Sequence, residues 1–191
     1  MTGNIEQIKK IAKERYCRED FKYHILPVVK NALLLAEKLN ADQEVVEAAA
    51  YLHDIGRVCE REEYNPENDH HLLGVEETRK ILGGLGCGKE FVEKVAHCVL
   101  THRGRKDPDP KSLEAKIIAC ADAMAHFDCF LDVFYFFLKT TDSFEQLLEE
   151  MEAKMDRNWN KKLILPEAKE IARPKYEAVM LLIKSMKQYI E

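Results

Sequence analysis

Seven side chains in this sequence have the types and spacing for metal chemistry: His24, the adjacent pair His53 and Asp54, His71, His97, His102 and Asp122. Each sits in or beside an apolar, helix-periodic segment, and each taken alone reads as an ordinary polar residue of a core. Together they read differently. A carboxylate in small, apolar surroundings costs several kcal/mol unless a cation neutralises it, so Asp54 and Asp122 both call for a partner. Neutral imidazoles cannot neutralise them, whereas a divalent ion can. Imidazole with carboxylate suits Mn, Fe, Co, Ni, Zn or Mg, without the thiolates that favour structural zinc. Ligands drawn from several helices leave coordination positions open. A water bound there has its pKa lowered towards ~7, and the same ion polarises a phosphoryl oxygen.

The elements that must position these residues are helical, because apolar residues recur at three and four throughout and no stretch alternates with the period of a strand. The fold class is therefore all-α. A first helix is expected from Asn4, as N-cap, to Cys17. A second begins at His24 and Ile25 with Pro27 in its first turn. Asp42 caps a third, whose stripe Val45, Val46, Ala49, Ala50 and Leu52 delivers His53 and Asp54 to its end before Gly56 breaks it. The next opens near Asp69 and closes among Gly83, Gly84, Gly86 and Gly88. Another carries Phe91, Val95, Val99 and Leu100 to His102, and the proline-bearing stretch 104–111 follows as a loop. Ser112 starts the helix that bears Asp122. Beyond it come the aromatic run 127–138, a capping box from Asp142 to Glu145, and a last helix with Pro166 at its start and a kink near Pro174.

Composition limits the partners. Lys+Arg 29 against Asp+Glu 34 gives a net charge of -5, so no general cationic field exists to collect a nucleic-acid backbone, and no nucleic-acid partner is expected. No apolar run reaches the ~20 residues of a membrane span, and the charged N-terminus lacks the apolar stretch of an export signal. The expected compartment is the cytoplasm, with no membrane partner. Cys17, Cys59, Cys87, Cys98, Cys120 and Cys129 form no paired framework, and Cys98 and Cys120 read as buried thiols. No internal repeat or shift of composition divides the chain, so residues 1–191 read as a single domain.

The order of His24, then His53 and Asp54 in AAYLHDIGR, then Asp122 in LEAKIIACADAMAHF, resembles the HD (His-Asp) superfamily of metal-dependent phosphohydrolases. The resemblance spans a motif-bearing core of about residues 20–127, leaving about 128–191 as a helical extension of an HD-type bundle. It implies that His24, His53, Asp54 and Asp122 are metal ligands. His71-Leu72-Leu73-Gly74 and Val99-Leu100-Thr101-His102 are similar to the strings of members with additional histidines. There His71 and His102 would serve a second metal or bind substrate phosphate, so one or two ions are implied. His70 reads as a solvated neighbour, and His97, five residues before His102, faces another side of its helix.

Arg57, three residues after Asp54, stands where many relatives carry a lysine near the phosphates, and its guanidinium fork suits phosphate oxygens. With Asp54, His71 and His102 it completes the expected catalytic set. Arg103, Arg105 and Lys106 read as a basic loop, solvated or able to gather a polyanion. The aromatic run reads first as core and second as a pocket wall or dimer contact, and the terminal helices with their methionines as packing or a homodimer face. The expected activity is hydrolysis of a phosphate ester or anhydride on a small phosphorylated substrate, a nucleotide among the candidates. Two alternatives stay open: a di-iron oxygenase of the same superfamily, and a non-catalytic metal or nucleotide sensor.

Overall fold

Every regular element of the computed structural model, which describes residues 2–57, 70–103 and 109–190, is helical. They are α1 (Thr2–Arg15), α2 (Arg18–Asp20), α3 (Leu26–Leu39), α4 (Gln43–Leu52), α5 (His70–Gly84), α6 (Lys89–Thr101), α7 (Leu113–Asp128), α8 (Phe130–Thr140), α9 (Phe144–Arg157) and α10 (Pro166–Lys187). Two π-helical turns, Phe21–Ile25 and Asn158–Lys162, interrupt the series.

At the centre lies α7, with Ile117, Ile118, Cys120, Ala121, Met124 and Phe127 all buried. Its alanines let α3, α4, α6 and α10 approach closely, and each fully buried isoleucine contributes about 1.5–3 kcal/mol over its exposed state. A helix enclosed on all sides should be apolar all round. Asp122 on this helix is only 5% exposed.

Local chemistry explains the boundaries. Asp42 caps α4 by accepting from the Val45 N–H at 3.2 Å, and Ser112 caps α7 by accepting from the Ala115 N–H at 3.1 Å. Helix α1 starts at Thr2, two residues before the expected cap, and Asn4 uses its side-chain amide to donate to Cys87 Sγ instead. The second helical stretch also starts earlier than His24. The Cys17 thiol caps α2, and a π turn follows, closed by Leu26 N–H to Phe21 O. Pro27 has no N–H to return to Tyr23, and the ladder widens just before it. His24 rides on that widened turn.

Gly56 does not break α4. His53 and Asp54 form the turn themselves, and residues 55–57 are already helical. The missing side chain has another use: a Cβ built on Gly74 of α5 would stand 3.5 Å from the Gly56 N and 3.2 Å from a Val99 methyl. The cap of α9 is Ser143, not Asp142, and Gln146 reaches back to the Asp142 N–H at 3.1 Å. Pro174 lies inside α10, which continues through it.

The aromatic run divides. Phe127 and Val133 are core, whereas Leu131, Tyr135 and Phe136 are 76%, 55% and 59% exposed. The methionine reading holds inside, since Met151, Met155 and Met180 are buried, as are Cys98 and Cys120. Trp159 of the second π turn stacks on Tyr176 of α10, ring centroids 4.4 Å apart, which ties that turn to the body. Among the described residues no helix is long and apolar enough to cross a membrane.

Candidate metal centre

Four elements converge on one buried point: the π turn before α3 brings His24, the turn after α4 brings His53 and Asp54, the end of α6 brings His102, and the middle of α7 brings Asp122. His24 Nε2 lies 3.1 Å from His53 Nε2, 3.4 Å from Asp54 Oδ2 and 3.5 Å from Asp122 Oδ1. His102 Nε2 stands 3.3 Å from Asp54 Oδ1. Donor atoms of His24, His53 and Asp122 all fall within 4.8 Å of one another, a spacing that one ion can span.

The backbone fixes which imidazole nitrogens face this point. His53 Nδ1 lies 2.9 Å from the Ala50 carbonyl, and His102 Nδ1 lies 2.6 Å from the Val99 carbonyl. A carbonyl only accepts, so Nδ1 carries a hydrogen in both rings, and Nε2 is the atom that each ring turns towards the carboxylates. Asp54 Oδ1 is buried and without a hydrogen bond, an orphaned acceptor whose cost a cation beside it relieves.

Charge follows the same logic. Burial would raise the pKa of Asp54, but neighbouring positive charge, that of the Arg57 guanidinium above all, holds it well below the usual carboxylate range. The Arg57 Nε donates to Asp54 Oδ2 at 2.9 Å. Burial would likewise raise Asp122, and Lys162, His126 and His24 bring it well below. Lys162 forms an ion pair with Asp122 Oδ2. Burial pushes His53 down to about 4, so that imidazole is neutral. His24 is raised, because the Asp54 and Asp122 carboxylates outweigh its burial.

Of the residues expected from sequence, His24, His53, Asp54, His102, Asp122 and Arg57 thus meet. The His71 side chain lies outside the described residues, as do Asp69, Cys59, Arg105 and Lys106. His97 is engaged elsewhere: its Nε2 accepts from the Lys111 N–H at 3.2 Å. Sequence reasoning missed His126, whose ring lies 5.4 Å from that of His24 and whose buried Nδ1 has no hydrogen-bond partner. It is one helical turn beyond Asp122, and that spacing was a usable signal. It also missed Tyr16, Lys154, Arg157 and Lys162, which no motif marks.

Two cavities open on the cluster. The larger, about 1080 Å³, is walled by Arg103, Arg157, Lys161 and Lys162; the smaller, about 210 Å³, by Tyr16, Asp20, Asp132, Val133 and Phe136. His24, Asp54, Arg57, His126 and Lys154 line both.

Residues 21–126 match the family model described as HD domain. A ribonuclease Y of Alkaliphilus metalliredigens is 34% identical over 102 residues, which cover 53% of this chain and 19% of that protein. An uncharacterised protein of Clostridium beijerinckii is 31% identical over 105 residues, covering 53% of this chain and 64% of that one. The chain spans about a fifth of the length of that ribonuclease Y. Bacillus subtilis YpgQ in complex with ADP shares the fold at a TM-score of 0.76 and 24% identity, over 99% of this chain and 96% of that one. A predicted HD superfamily hydrolase from an uncultured Thermotogales bacterium shares it at 0.63 and 22%, over 96% and 91%.

Proposed function

The chain belongs to the HD domain family, and on that premise we propose that it is a metal-dependent phosphohydrolase acting on a small phosphorylated molecule such as a nucleotide. The observation that carries this reading is the convergence of the His24, His53 and His102 Nε2 atoms on Asp54, whose buried Oδ1 lacks a hydrogen bond, at the floor of a cation-walled cavity. In it His24, His53, Asp54 and Asp122 hold a divalent ion, and His102 faces the Asp54 oxygen turned away from Arg57. Such an ion supplies a coordinated water of lowered pKa and polarises a phosphoryl oxygen.

The chain's own groups do the rest. The Ala50 and Val99 carbonyls hold the two imidazoles in the ligating tautomer,. Arg57, which donates to Asp54 through Nε, brings to the cavity wall a guanidinium whose fork suits phosphoryl oxygens,. Arg103, Arg157, Lys161 and Lys162 draw the anion in and oppose the charge that develops on it,. His71 and His102 are proposed to serve a second ion or the substrate phosphate. The ADP complex of YpgQ, a protein of similar fold, agrees with a nucleotide substrate.

The test is elemental analysis of protein purified without added metal, beside the Asp122→Ala variant, with each assayed against nucleotides and phosphomonoesters under added manganese. The expected result is bound metal and turnover in the parent, and loss of both in the variant. Full turnover in Asp122→Ala would overturn the assignment.

A further inference from the structure

We infer that the smaller cavity is a recognition subsite for the hydroxyl-bearing organic part of the substrate, the sugar of a nucleotide, with Asp132 and Asp20 as acceptors, Tyr16 behind them and Phe136 at the rim. The inference rests on the phosphohydrolase reading and specifies which end of the substrate goes where.

Size gives the first argument. At about 210 Å³ this cavity falls below the ~300 Å³ at which pockets enclose whole small ligands, so it holds a part of one. The larger cavity, about 1080 Å³, holds the remainder. The cluster lies where they join.

Polarity gives the orientation. The larger cavity carries six cationic side chains, Arg57, Arg103, Lys154, Arg157, Lys161 and Lys162, against the carboxylates of Asp54, Asp109 and Asp122. The smaller has Arg57 and Lys154 against Asp20, Asp54 and Asp132, with Ile25, Val133 and Phe136 supplying apolar wall. Phosphates placed there would face like charge, whereas an uncharged group rich in hydroxyl donors would satisfy carboxylate acceptors.

Part of the wall's hydrogen-bonding capacity is unmet. Tyr16 is 6% exposed and its hydroxyl has no hydrogen-bond partner, the kind of buried group that a ligand completes. Asp132, Val133 and Phe136 recur at three and four on α8 and so share the face that lines the cavity,. Burial raises the pKa of Asp132; His24 opposes the shift and the Asp20 carboxylate adds to it. Two carboxylates that repel each other gain from a ligand donating to both, which adjacent sugar hydroxyls do. The exposed Phe136 ring offers the apolar surface on which the sugar or base rests.

The test compares kcat/KM for a ribonucleoside triphosphate and its 2′,3′-dideoxy counterpart in the parent and in Asp132→Ala, with manganese present. The parent should favour the ribonucleotide by ~10-fold, the effect of about 1.4 kcal/mol of lost hydrogen bonding, and Asp132→Ala should bring the ratio close to one. A parent ratio near one would overturn the inference, as would a ratio that survives the substitution. If the parent hydrolyses neither compound, the reading of a nucleotide as its substrate falls by itself. Calorimetry with adenosine then judges the subsite separately: binding weakened ~10-fold by Asp132→Ala upholds it, and equal or absent binding in both proteins overturns it.

Discussion

Lys154 reaches both cavities from α9, and burial pulls its pKa down to about 8 from the ordinary 10.5, against the attraction of Asp122. A depressed base is least costly to the fold above its unfolded pKa, and that contribution is lost as pH falls through the folded value. At pH 7 the charged, partly buried amine therefore costs on the order of 2 kcal/mol after allowance for its residual exposure. Lys154→Met should be more stable than the parent at pH 7 by about that amount, several degrees in Tm. The gap should close as pH rises from 8 to 10.5, as urea unfolding at the two ends of that range would record. A buried cation in a cavity wall is a cost to the fold at neutral pH that only its surroundings reveal. Such positions escape a reading of the sequence. Histidine and aspartate inside apolar helices announce themselves, and His24, His53, Asp54, His102 and Asp122 were legible for that reason. Lys154 and Lys162 sit in charged stretches where lysine is unremarkable, and only tertiary packing turns them inward.

Helix positions were legible from periodicity, while their ends were decided by competition between neighbours. Asp142 and Ser143 are both good caps, and Gln146 rather than Glu145 completes the arrangement in the structure. The start of α3 is masked in sequence by a π turn, because a widened ladder leaves the apolar spacing nearly unchanged. Gly74 shows how elements hold the site. Its bare Cα lets α5 lie against residues 55–57, immediately after the His53-Asp54 turn. Gly74→Val should destabilise the fold by about 1–3 kcal/mol through overpacking. It should also weaken metal retention by displacing that turn. Thermal unfolding and metal content of the purified variant would record the two effects together, and a stable variant with full metal would contradict the role given to this contact.

Over the whole molecule, a net charge of -5 conceals a cavity whose wall is strongly cationic. An average over the sequence does not register such segregation. The family motif ends near residue 126, yet α8, α9 and the second π turn supply Asp132, Phe136, Lys154, Arg157, Lys161 and Lys162 to the two cavities. The extension thereby completes the site, and its buried Leu147, Leu148, Met151 and Met155 belong to the same core cluster as Ile117 and Ile118. Unfolding should therefore be a single transition. Trp159, the one tryptophan of the chain, reports on the extension, and helix ellipticity reports on the whole. The two should give coincident urea midpoints, and separated midpoints would mean that the extension folds independently.

The ion pair of Lys162 with Asp122 bears on how such a protein is assembled. Small domains built around an ion commonly stay unfolded until they acquire it. Here an ammonium group brought by the stacked Trp159 turn already balances the deepest carboxylate. The carboxylate at the heart of the cluster thus has a cation supplied by the chain itself. The same lysine lies in the wall of the larger cavity, so one side chain joins the core of the cluster to the surface that an incoming anion would meet first.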